Sequence, residues 1–253
     1  MSINNPKTIV ITGASSGIGA ALAVAYAAPK KHLLLIARHQ HRLEEVAQRC
    51  IAQGATVITQ VIDVTHRAEM SVWLQAQDDC TPIDLVIANA GCSSTQLSEH
   101  YQDLCSIEAK LWEVHLQGTL YTIHPIVERM HQRKQGQVAI MSSLNAFVPT
   151  ASSTSYGAAK SALLHYGLSL RGRLSKSNIH VSVICPGWVD SRLTRLNKHP
   201  MPMKLTSVKA AEIIIAKLQA NKAVIAFPQP MRWVTRLYHC LPSFIRAYIT
   251  AKT

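Results

Sequence analysis

Short apolar runs rich in β-branched residues alternate with longer helical patterns through most of the chain. The predicted strands cover residues 7–12, 32–37, 55–61, 83–88, 137–141, 179–184 and 223–227. The predicted helices cover residues 20–28, 42–53, 69–77, 99–132, 153–174 and 208–220. Strands that are apolar throughout and alternate with helices indicate a parallel sheet covered on both faces. The pattern predicts one α/β domain over residues 1–227, and only residues 228–253 break the alternation.

A glycine-rich turn joins the first predicted strand to the first predicted helix. Gly13 permits the tight turn, while Gly17 and Gly19 let the backbone approach a pyrophosphate at the helix N-terminus. A glycine-rich turn that binds nothing is the alternative interpretation. The other residues of this candidate dinucleotide site are Ser15, Ser16 and Ile18.

Arg38 follows the second predicted strand, where the adenosine ribose of a bound dinucleotide would lie. An acidic residue there would bind the ribose 2′-hydroxyl, whereas an arginine can grip a 2′-phosphate. Residues 31–42 contain no Asp or Glu, which favours NADP(H) and leaves NAD(H) as an alternative. A solvated surface arginine is the other interpretation.

Further candidate cofactor contacts follow the later strands, because ligands of parallel α/β sheets bind at the carboxyl ends of the strands. Asp63 either accepts a hydrogen bond from the adenine amino group, with Val64 beside the ring, or caps the next helix. Small residues suited to close approach follow the fourth and sixth strands. These are Asn89, Ala90 and Gly91 after the fourth strand, and Pro186, Gly187, Val189 and Ser191 after the sixth.

Tyr156 and Lys160 are spaced so that one helix face carries both, one turn apart. A phenol beside an ammonium group can exchange a proton near neutral pH, unlike a free tyrosine with a pKa of about 10. Ser143, at the end of the preceding strand, can hold a carbonyl oxygen against that phenol.

Two other pairs have the same Tyr–Lys spacing and are weaker candidates. The pair Tyr26 and Lys30 contains Pro29, where a helix should end. The pair Tyr248 and Lys252 lies near the C-terminus with no strand-end hydroxyl before it. The catalytic prediction therefore rests on the middle pair.

In combination these motifs resemble the classical short-chain dehydrogenase/reductase family over about residues 5–227. The motifs are Thr12-Gly13-x-x-x-Gly17-Ile18-Gly19, Asn89-Ala90-Gly91, Ser143, Tyr156-x-x-x-Lys160 and Pro186-Gly187. The resemblance implies a single Rossmann-like, doubly wound domain with a seven-stranded parallel sheet and helices on both faces. It also implies reversible carbonyl/alcohol chemistry with NAD(P)(H), and a homodimer or homotetramer. The extended members of that family, which act on nucleotide sugars, share the Tyr–Lys pair but are typically longer and use a differently spaced glycine loop, so they are the second choice within the enzyme class.

One position departs from the family pattern. The stretch His115-Leu116-Gln117-Gly118 stands where members usually carry Asn-x-x-Gly, whose Asn completes a proton relay to the lysine. His115 can both donate and accept a hydrogen bond, so it can hold the same relay water or add a titrating group. We include it among the catalytic candidates. The other hypothesis is a packed histidine in a cofactor-binding regulator or scaffold without turnover.

Composition narrows the classes of partner. The net charge of +12 favours anionic partners, but the basic residues are dispersed and aromatics make up only 6%, which disfavours specific nucleic-acid binding. Six scattered cysteines without metal-ligand spacing predict reduced thiols in a cytoplasmic protein and no metal site. Neither a signal peptide nor an apolar run of membrane-spanning length is recognisable.

Residues 228–253 form a basic, amphipathic tail that contains no acidic residue. Apolar residues recur three or four positions apart, and Pro242 is expected to divide the segment into two short helices. Such a segment can lie in a membrane interface or pack as an arm on the protein. The apolar face consists of Trp233, Val234, Leu237, Leu241, Ile245 and Tyr248, and the basic residues are Arg232, Arg236, Arg246 and Lys252. The sequence thus predicts an oxidoreductase acting on a hydrophobic or lipid-like aldehyde, ketone or alcohol, with possible peripheral membrane contact.

Overall fold

A computed structural model describes residues 5–98, 100, 103–195, 201, 203–229, 237, 238 and 240–252. Over these residues a seven-stranded sheet forms in the order β3-β2-β1-β4-β5-β6-β7, with every neighbouring pair parallel. The strands are β1 (Thr8–Thr12), β2 (His32–Ala37), β3 (Thr56–Val61), β4 (Leu85–Ala88), β5 (Gly136–Met141), β6 (Ile179–Pro186) and β7 (Val224–Phe227). The predicted parallel, doubly wound α/β fold is confirmed.

Helices connect the strands and lie close to the positions predicted from the sequence. They are α1 (Gly17–Tyr26), α2 (Gln40–Ile51), α3 (Arg67–Cys80), α4 (Ser94–Leu97), α5 (Leu104–Trp112), α6 (Gly118–Arg133), α7 (Thr154–Arg173), α8 (Arg192–Arg195), α9 (Ser207–Gln219) and α10 (Ser243–Ala251). Among the described residues, no helix has the length and apolar character needed to cross a bilayer.

Successive strand residues face opposite sides of the sheet, which builds two cores. Ile9 and Ile11 of β1 lie in the core covered by α1, α2 and α9, whereas Val10 lies in the core covered by α3, α6 and α7. All three side chains are fully buried. Burial on both faces explains why the strands carry uninterrupted apolar runs.

The helical stretch predicted over residues 99–132 is interrupted by a π turn. After α5, the segment Glu113–Gln117 is π-helical, and the Gly118 N–H donates to the Glu113 carbonyl five residues back. The apolar period alone does not reveal such a turn, because one inserted residue shifts the phase of the positions that follow and leaves their period unchanged. π turns occur frequently at functional sites, and this one contains His115.

The direction in which successive strands are added to the sheet reverses beside β1. From β1 the sheet grows through β2 to β3 on one side and through β4 to β7 on the other. The crevice outside the carboxyl ends at such a switch point is where open α/β sheets bind ligands. The turns that follow β1, β2, β4, β5 and β6, which carry the candidate site residues, therefore meet at one edge.

The C-terminal tail contains a helix that begins directly after Pro242, as the sequence predicts. Tyr238 is buried, and its hydroxyl lies 3.0 Å from the Thr250 hydroxyl of α10. Thr250 also donates to the carbonyl of Pro149 at 3.5 Å, so α10 rests on the segment between β5 and α7. Arg232, Trp233, Val234 and Arg236, named in the tail prediction, lie outside the described residues.

Candidate active site

The turn after β1 has the backbone shape that a bound pyrophosphate needs. Gly13 and Gly17 have φ values of +67° and +55°, which side-chain-bearing residues rarely adopt. Ser16 occupies the N-cap of α1 in an extended conformation and makes no side-chain hydrogen bond to the first turn. The first N–H groups of α1 therefore remain available for an anion. These features fit a dinucleotide phosphate.

Thr12 and Asn89 hold this turn in place, and sequence reasoning did not include Thr12 among the site residues. The Thr12 hydroxyl accepts hydrogen bonds from the N–H groups of Asn89 and Ala90, at 3.0 and 3.1 Å. The Asn89 side-chain amide donates to the Thr12 carbonyl at 2.9 Å. Asn89 thus joins the ends of β1 and β4. The sequence feature that could have indicated Thr12 is its hydroxyl at the last position of the strand, directly before Gly13.

Arg38 and Asp63 contact each other at the adenosine end of the crevice, with 3.3 Å between the guanidinium and the carboxylate. Asp63 accepts two hydrogen bonds from Thr65, and the N-cap of α3 is His66, so Asp63 does not cap that helix. Burial alone raises the pKa of Asp63, but the Thr65 hydrogen bonds and Arg38 outweigh it and lower the pKa. Asp63 is therefore an ionised acceptor.

Two of the predicted cofactor residues direct their side chains into the protein. Val64 is buried against Gly118, where a Cβ atom would come within 2.6 Å of it. Val189 is also buried and pairs with Leu205 in an isolated parallel bridge. Both can offer only their backbones to a ligand. The neighbouring Gly187 is fixed by its N–H, which donates to the carbonyl of Phe227 at 2.8 Å.

Ser143 and Tyr156 form the centre of the candidate catalytic group. Ser143 follows β5 and caps a short 3-10 helix, Leu144–Ala146, while Tyr156 lies in the first turn of α7. Burial raises the pKa of Tyr156 above its ordinary value, and a hydrogen bond with Ser143 opposes that rise. The sequence-based expectation of a lowered phenol pKa does not hold for the protein alone, because desolvation dominates.

Lys160 is buried one helical turn further along α7. Only 3% of the residue is exposed, and its Nζ atom donates to the carbonyl of Met141 at 2.9 Å. The same Nζ atom lies 5.6 Å from the centroid of the Tyr156 ring. Burial lowers the pKa of Lys160 to about 8. The side chain therefore remains mostly a cation at neutral pH.

His115 lies beside Tyr156, with 5.2 Å between the ring centroids and an interplanar angle of 85°. Its Nε2 atom lies 2.8 Å from the Cys92 carbonyl and 3.4 Å from the Cys92 N–H, and the shorter contact assigns the proton of the neutral ring to Nε2. Burial, followed by the charge of Lys160, lowers the imidazole pKa well below its ordinary value, and the ring is neutral. Its Nδ1 atom is a buried acceptor with no hydrogen-bond partner among the described residues.

The two other Tyr–Lys pairs differ from the central pair in their surroundings. Tyr26 is the last residue of α1 and is buried in the core, and burial raises its pKa. Tyr248 is 62% exposed on α10, with the Lys252 ammonium 4.4 Å from its ring centroid. In the site around Tyr156, by contrast, a phenol lies beside a strand-end hydroxyl and a buried ammonium.

Within the described part of the chain, no group of three His, Cys, Asp or Glu side chains is placed to hold a metal ion.

Comparison with known proteins identifies relatives of the chain. A family model described as short chain dehydrogenase matches residues 7–201. An uncharacterized oxidoreductase of Staphylococcus saprophyticus is 33% identical over 216 residues, which cover 84% of this chain and 91% of that protein.

Solved structures share the fold. A short-chain dehydrogenase from Sphingobium yanoikuyae in complex with NADPH has a TM-score of 0.80 at 24% identity and covers 89% of this chain and 90% of its own. A short chain dehydrogenase/reductase from Burkholderia phymatum in complex with NAD has a TM-score of 0.82 at 19% identity. That match covers 94% of this chain and 95% of the other.

We expect the His115 ring to occupy space that only a glycine at position 91 leaves free. A Cβ atom on Gly91 would lie 2.7 Å from Cε1 of His115, so Gly91→Ala should reduce the free energy of unfolding by about 1–3 kcal/mol. In a His115→Asn background the shorter side chain relieves the clash, and Gly91→Ala should cost much less. Urea denaturation of the four proteins measures this coupling. Equal losses in both backgrounds would contradict the assigned position of the ring.

Proposed function

The chain belongs to the short-chain dehydrogenase family, and we propose that it interconverts a carbonyl group and an alcohol with NADP(H) as the preferred cofactor. The observation that supports this best is the hydrogen-bonded pair of Ser143 and Tyr156 next to the buried cation of Lys160. Proton donor, oxygen-binding hydroxyl and fixed positive charge thus stand together at the ligand-binding edge of the sheet.

The turns at the carboxyl edge are suited to hold the dinucleotide. A bound nicotinamide supplies or takes up the hydride, and the protein supplies orientation and charge. The pyrophosphate would lie against the glycine-rich turn and the adenine near Asp63. We assign cofactor binding to Gly13, Ser15, Ser16, Gly17, Ile18, Gly19, Arg38, Asp63, Val64, Asn89, Ala90, Gly91, Tyr156, Lys160, Pro186, Gly187 and Val189.

Tyr156 acts as the proton donor in the reducing direction. Because burial raises its pKa, the phenol is protonated at neutral pH and can pass its proton from Oη to the substrate oxygen. The Ser143 hydroxyl donates a hydrogen bond to that same oxygen and holds it in line with the phenol. In the oxidising direction Tyr156 takes the proton back.

Lys160 and His115 assist the proton transfer by Tyr156. The Lys160 ammonium favours the phenolate that remains after proton transfer, since an opposite charge stabilises the ionised form. The free Nδ1 acceptor of His115 can hold a water molecule that donates to it and links it to Lys160. His115 thereby takes the position of the family's Asn without carrying charge itself.

Cofactor choice follows from the end of β2. Arg38 stands at the first position after that strand, and no acidic residue is present there to bind a ribose 2′-hydroxyl. Of the two structural neighbours described above, one binds NADPH and the other binds NAD. The arginine favours the phosphorylated form, and NAD(H) remains an alternative cofactor.

The replacement of the family Asn by His115 favours a second hypothesis, a protein that binds cofactor without turnover. Oxidation of NADPH with a panel of hydrophobic aldehydes and ketones separates the two functions. Turnover identifies an enzyme, whereas tight NADPH binding without turnover on any of them identifies the regulator.

We expect Tyr156→Phe to lower kcat at least about a hundredfold while the Kd for NADPH changes far less, because the phenol proton is needed only in the transition state. Tyr248→Phe is the matched control. It alters a tyrosine with the same spacing to a lysine, but on the exposed α10 helix. Undiminished kcat in Tyr156→Phe, or an equal loss in the control, would refute the assigned proton donor.

The tail supports a hydrophobic substrate and contact with a membrane surface. Through Thr250, α10 rests on Pro149, in the segment that leads from Ser143 to Tyr156. Its outer side exposes Phe244 and Tyr248, and Leu237 is exposed just before it. Residues 228–253 carry basic charges without an acidic one, which complements anionic headgroups. We propose a cytoplasmic protein with peripheral membrane contact, which agrees with six cysteines that form no disulfide. Cell fractionation tests the location.

We expect the protein to co-sediment with vesicles containing anionic phosphatidylglycerol at low salt, and not with pure phosphatidylcholine vesicles. Phe244→Glu should weaken this binding about tenfold or more, since an apolar anchor is lost and a negative charge is added. Val72→Glu on α3 is the control, because Val72 is 70% exposed against 73% for Phe244. Equal binding of wild type and Phe244→Glu would leave α10 as a packing arm only.

Self-association is also proposed, as a homodimer or homotetramer. Large apolar side chains are exposed on α5 and α7: Leu104 at 69%, Trp112 at 42% and Leu168 at 41%. Burying them against a second copy would stabilise an oligomer. Sedimentation should give a mass of at least twice 27.8 kDa at micromolar concentration, and Leu168→Glu should reduce it. A wild-type protein sedimenting only as the 27.8 kDa species would exclude this association.

A further inference from the structure

The strand β3 lies at the outer edge of the sheet and lacks the features that normally protect such an edge. Among the described residues it pairs with β2 alone, and the register runs without a bulge from the pair of His32 and Thr56 to the pair of Ala37 and Val61. The strand contains no charged residue, proline or glycine. Edge strands usually carry such residues or bulges, because an open edge can pair with another strand.

Half of the backbone groups of β3 point away from the sheet. The N–H of Thr56 donates to the Lys31 carbonyl at 2.8 Å, so Thr56 and every second residue after it direct their N–H and C=O groups towards β2. The residues between them direct theirs outward, where the described part of the chain offers no strand to bond with. These outward residues are Val57, Thr59 and Val61.

Apolar side chains are exposed on both faces of the sheet beside this edge. Ile58, 43% exposed, borders a cavity next to α3. Val61, 47% exposed, lies on the opposite face, because it shares the orientation of Val57, which packs on the core under α2. Ile51, the last residue of α2, is 46% exposed and precedes the start of β3, whereas Val61 ends it.

We propose that β3 is a self-association surface, at which two copies of the chain pair their β3 strands antiparallel about a two-fold axis centred on Thr59. In this register Thr59 faces its own counterpart, and Val57 of each copy faces Val61 of the other. All outward groups of the three residues are then paired, in about six hydrogen bonds, since each facing pair exchanges two. The arrangement is closed, because it uses the open edge of both copies.

The same register covers the exposed apolar side chains. It places Val61 of one copy opposite Val57 of the other, at the end of the strand where Ile51 of that other copy lies. On the opposite face, Ile58 is set beside Gln60 of the second copy and diagonally across from its own counterpart. A second copy provides this reversed arrangement by symmetry.

A neighbouring register satisfies fewer backbone groups. A two-fold axis centred on Ile58 sets Val61 opposite Ala55, whose N–H already donates to the Cys50 carbonyl at 3.3 Å. The outward groups of Val61 would then lack a full set of partners, and an unpaired group at an interface costs free energy. The register centred on Thr59 is therefore the favoured one.

This surface is distinct from the one proposed on α5 and α7. The strand β3 ends the sheet on one side, whereas α7 packs on β6 near the other. Both surfaces can be used in one assembly. The variant Leu168→Glu, which weakens the α5 and α7 contact, should therefore still sediment at twice the mass of one chain.

Sedimentation of the Leu168→Glu protein with a second substitution tests the pairing. Adding Thr59→Pro should weaken the dimer at least about tenfold, because it removes an outward N–H in each copy and leaves the hydrogen bonds to β2 intact. Adding Thr59→Lys should do the same by placing two like charges together. Val72→Lys, at an exposed position on α3, is the control and should leave the dimer intact. Circular dichroism verifies that each variant is folded.

Disulfide cross-linking tests the register in the otherwise unchanged chain. Thr59→Cys should form a covalent dimer on mild oxidation, because residues facing each other in a hydrogen-bonded pair have Cα atoms about 5.5 Å apart. Val57→Cys should not, since its counterpart lies four residues away along the strand, but it should cross-link when mixed with Val61→Cys. The wild type gives the background from its six free cysteines.

The outcomes are decisive for this surface. A Leu168→Glu protein that sediments as a monomer would overturn the pairing of copies and leave the edge open to a strand of another protein. A dimer unaffected by Thr59→Pro and Thr59→Lys would likewise overturn it. Cross-linking of Val57→Cys alone to the same extent as Thr59→Cys would overturn the register.

Discussion

The site depends on an ammonium group held away from water. Lys160 is 3% exposed, and burial lowers its pKa from 10.5 to about 8, which corresponds to about 3 kcal/mol against the charged form. That cost is tolerable only because Nζ donates to the Met141 carbonyl at the end of β5. The Ser142 hydroxyl in turn donates to the Lys160 carbonyl at 2.7 Å. These two bonds fix α7 against β5, and through them the position of Tyr156 relative to Ser143.

A second cation beside Lys160 would not be stable, and this explains the state of His115. Desolvation and the neighbouring ammonium both lower the pKa of the imidazole, so it stays neutral. Because the Nε2–H group of His115 is directed to the Cys92 carbonyl, the lone pair on Nδ1 is the polar group of the ring that remains to accept a hydrogen bond in the site. The π turn that carries the ring and the absence of a side chain at Gly91 make room for it. The change from the family's Asn therefore alters shape more than charge.

The sequence was sufficient for those features that depend on local pattern. Buried strands on a parallel sheet must be apolar on both faces, and positive φ at Gly13 and Gly17 requires glycine, so strands and turn could be predicted. Features that depend on contacts between distant segments could not be predicted from the sequence. The π turn changes no apolar period, and the hydrogen bond from the Asn89 N–H to the Thr12 hydroxyl joins positions 77 residues apart in the chain. Likewise, the pairing of Arg38 with Asp63 appears only when β2 and β3 lie side by side.

For the proposed reaction, the protonation states of the protein alone suit the reducing direction. Burial raises the pKa of Tyr156, so the phenol holds its proton, while Lys160 remains mostly charged below pH 8. In the proposed mechanism, passing the proton to a substrate oxygen would place a negative charge on the phenolate, next to the Lys160 ammonium and the Ser143 hydroxyl. The buried ammonium, disfavoured while the phenol is neutral, would gain an opposite charge at that moment. Part of the free-energy cost of burying it would then be recovered in the transition state, which is the property that would make Lys160 a catalytic charge as well as a structural one.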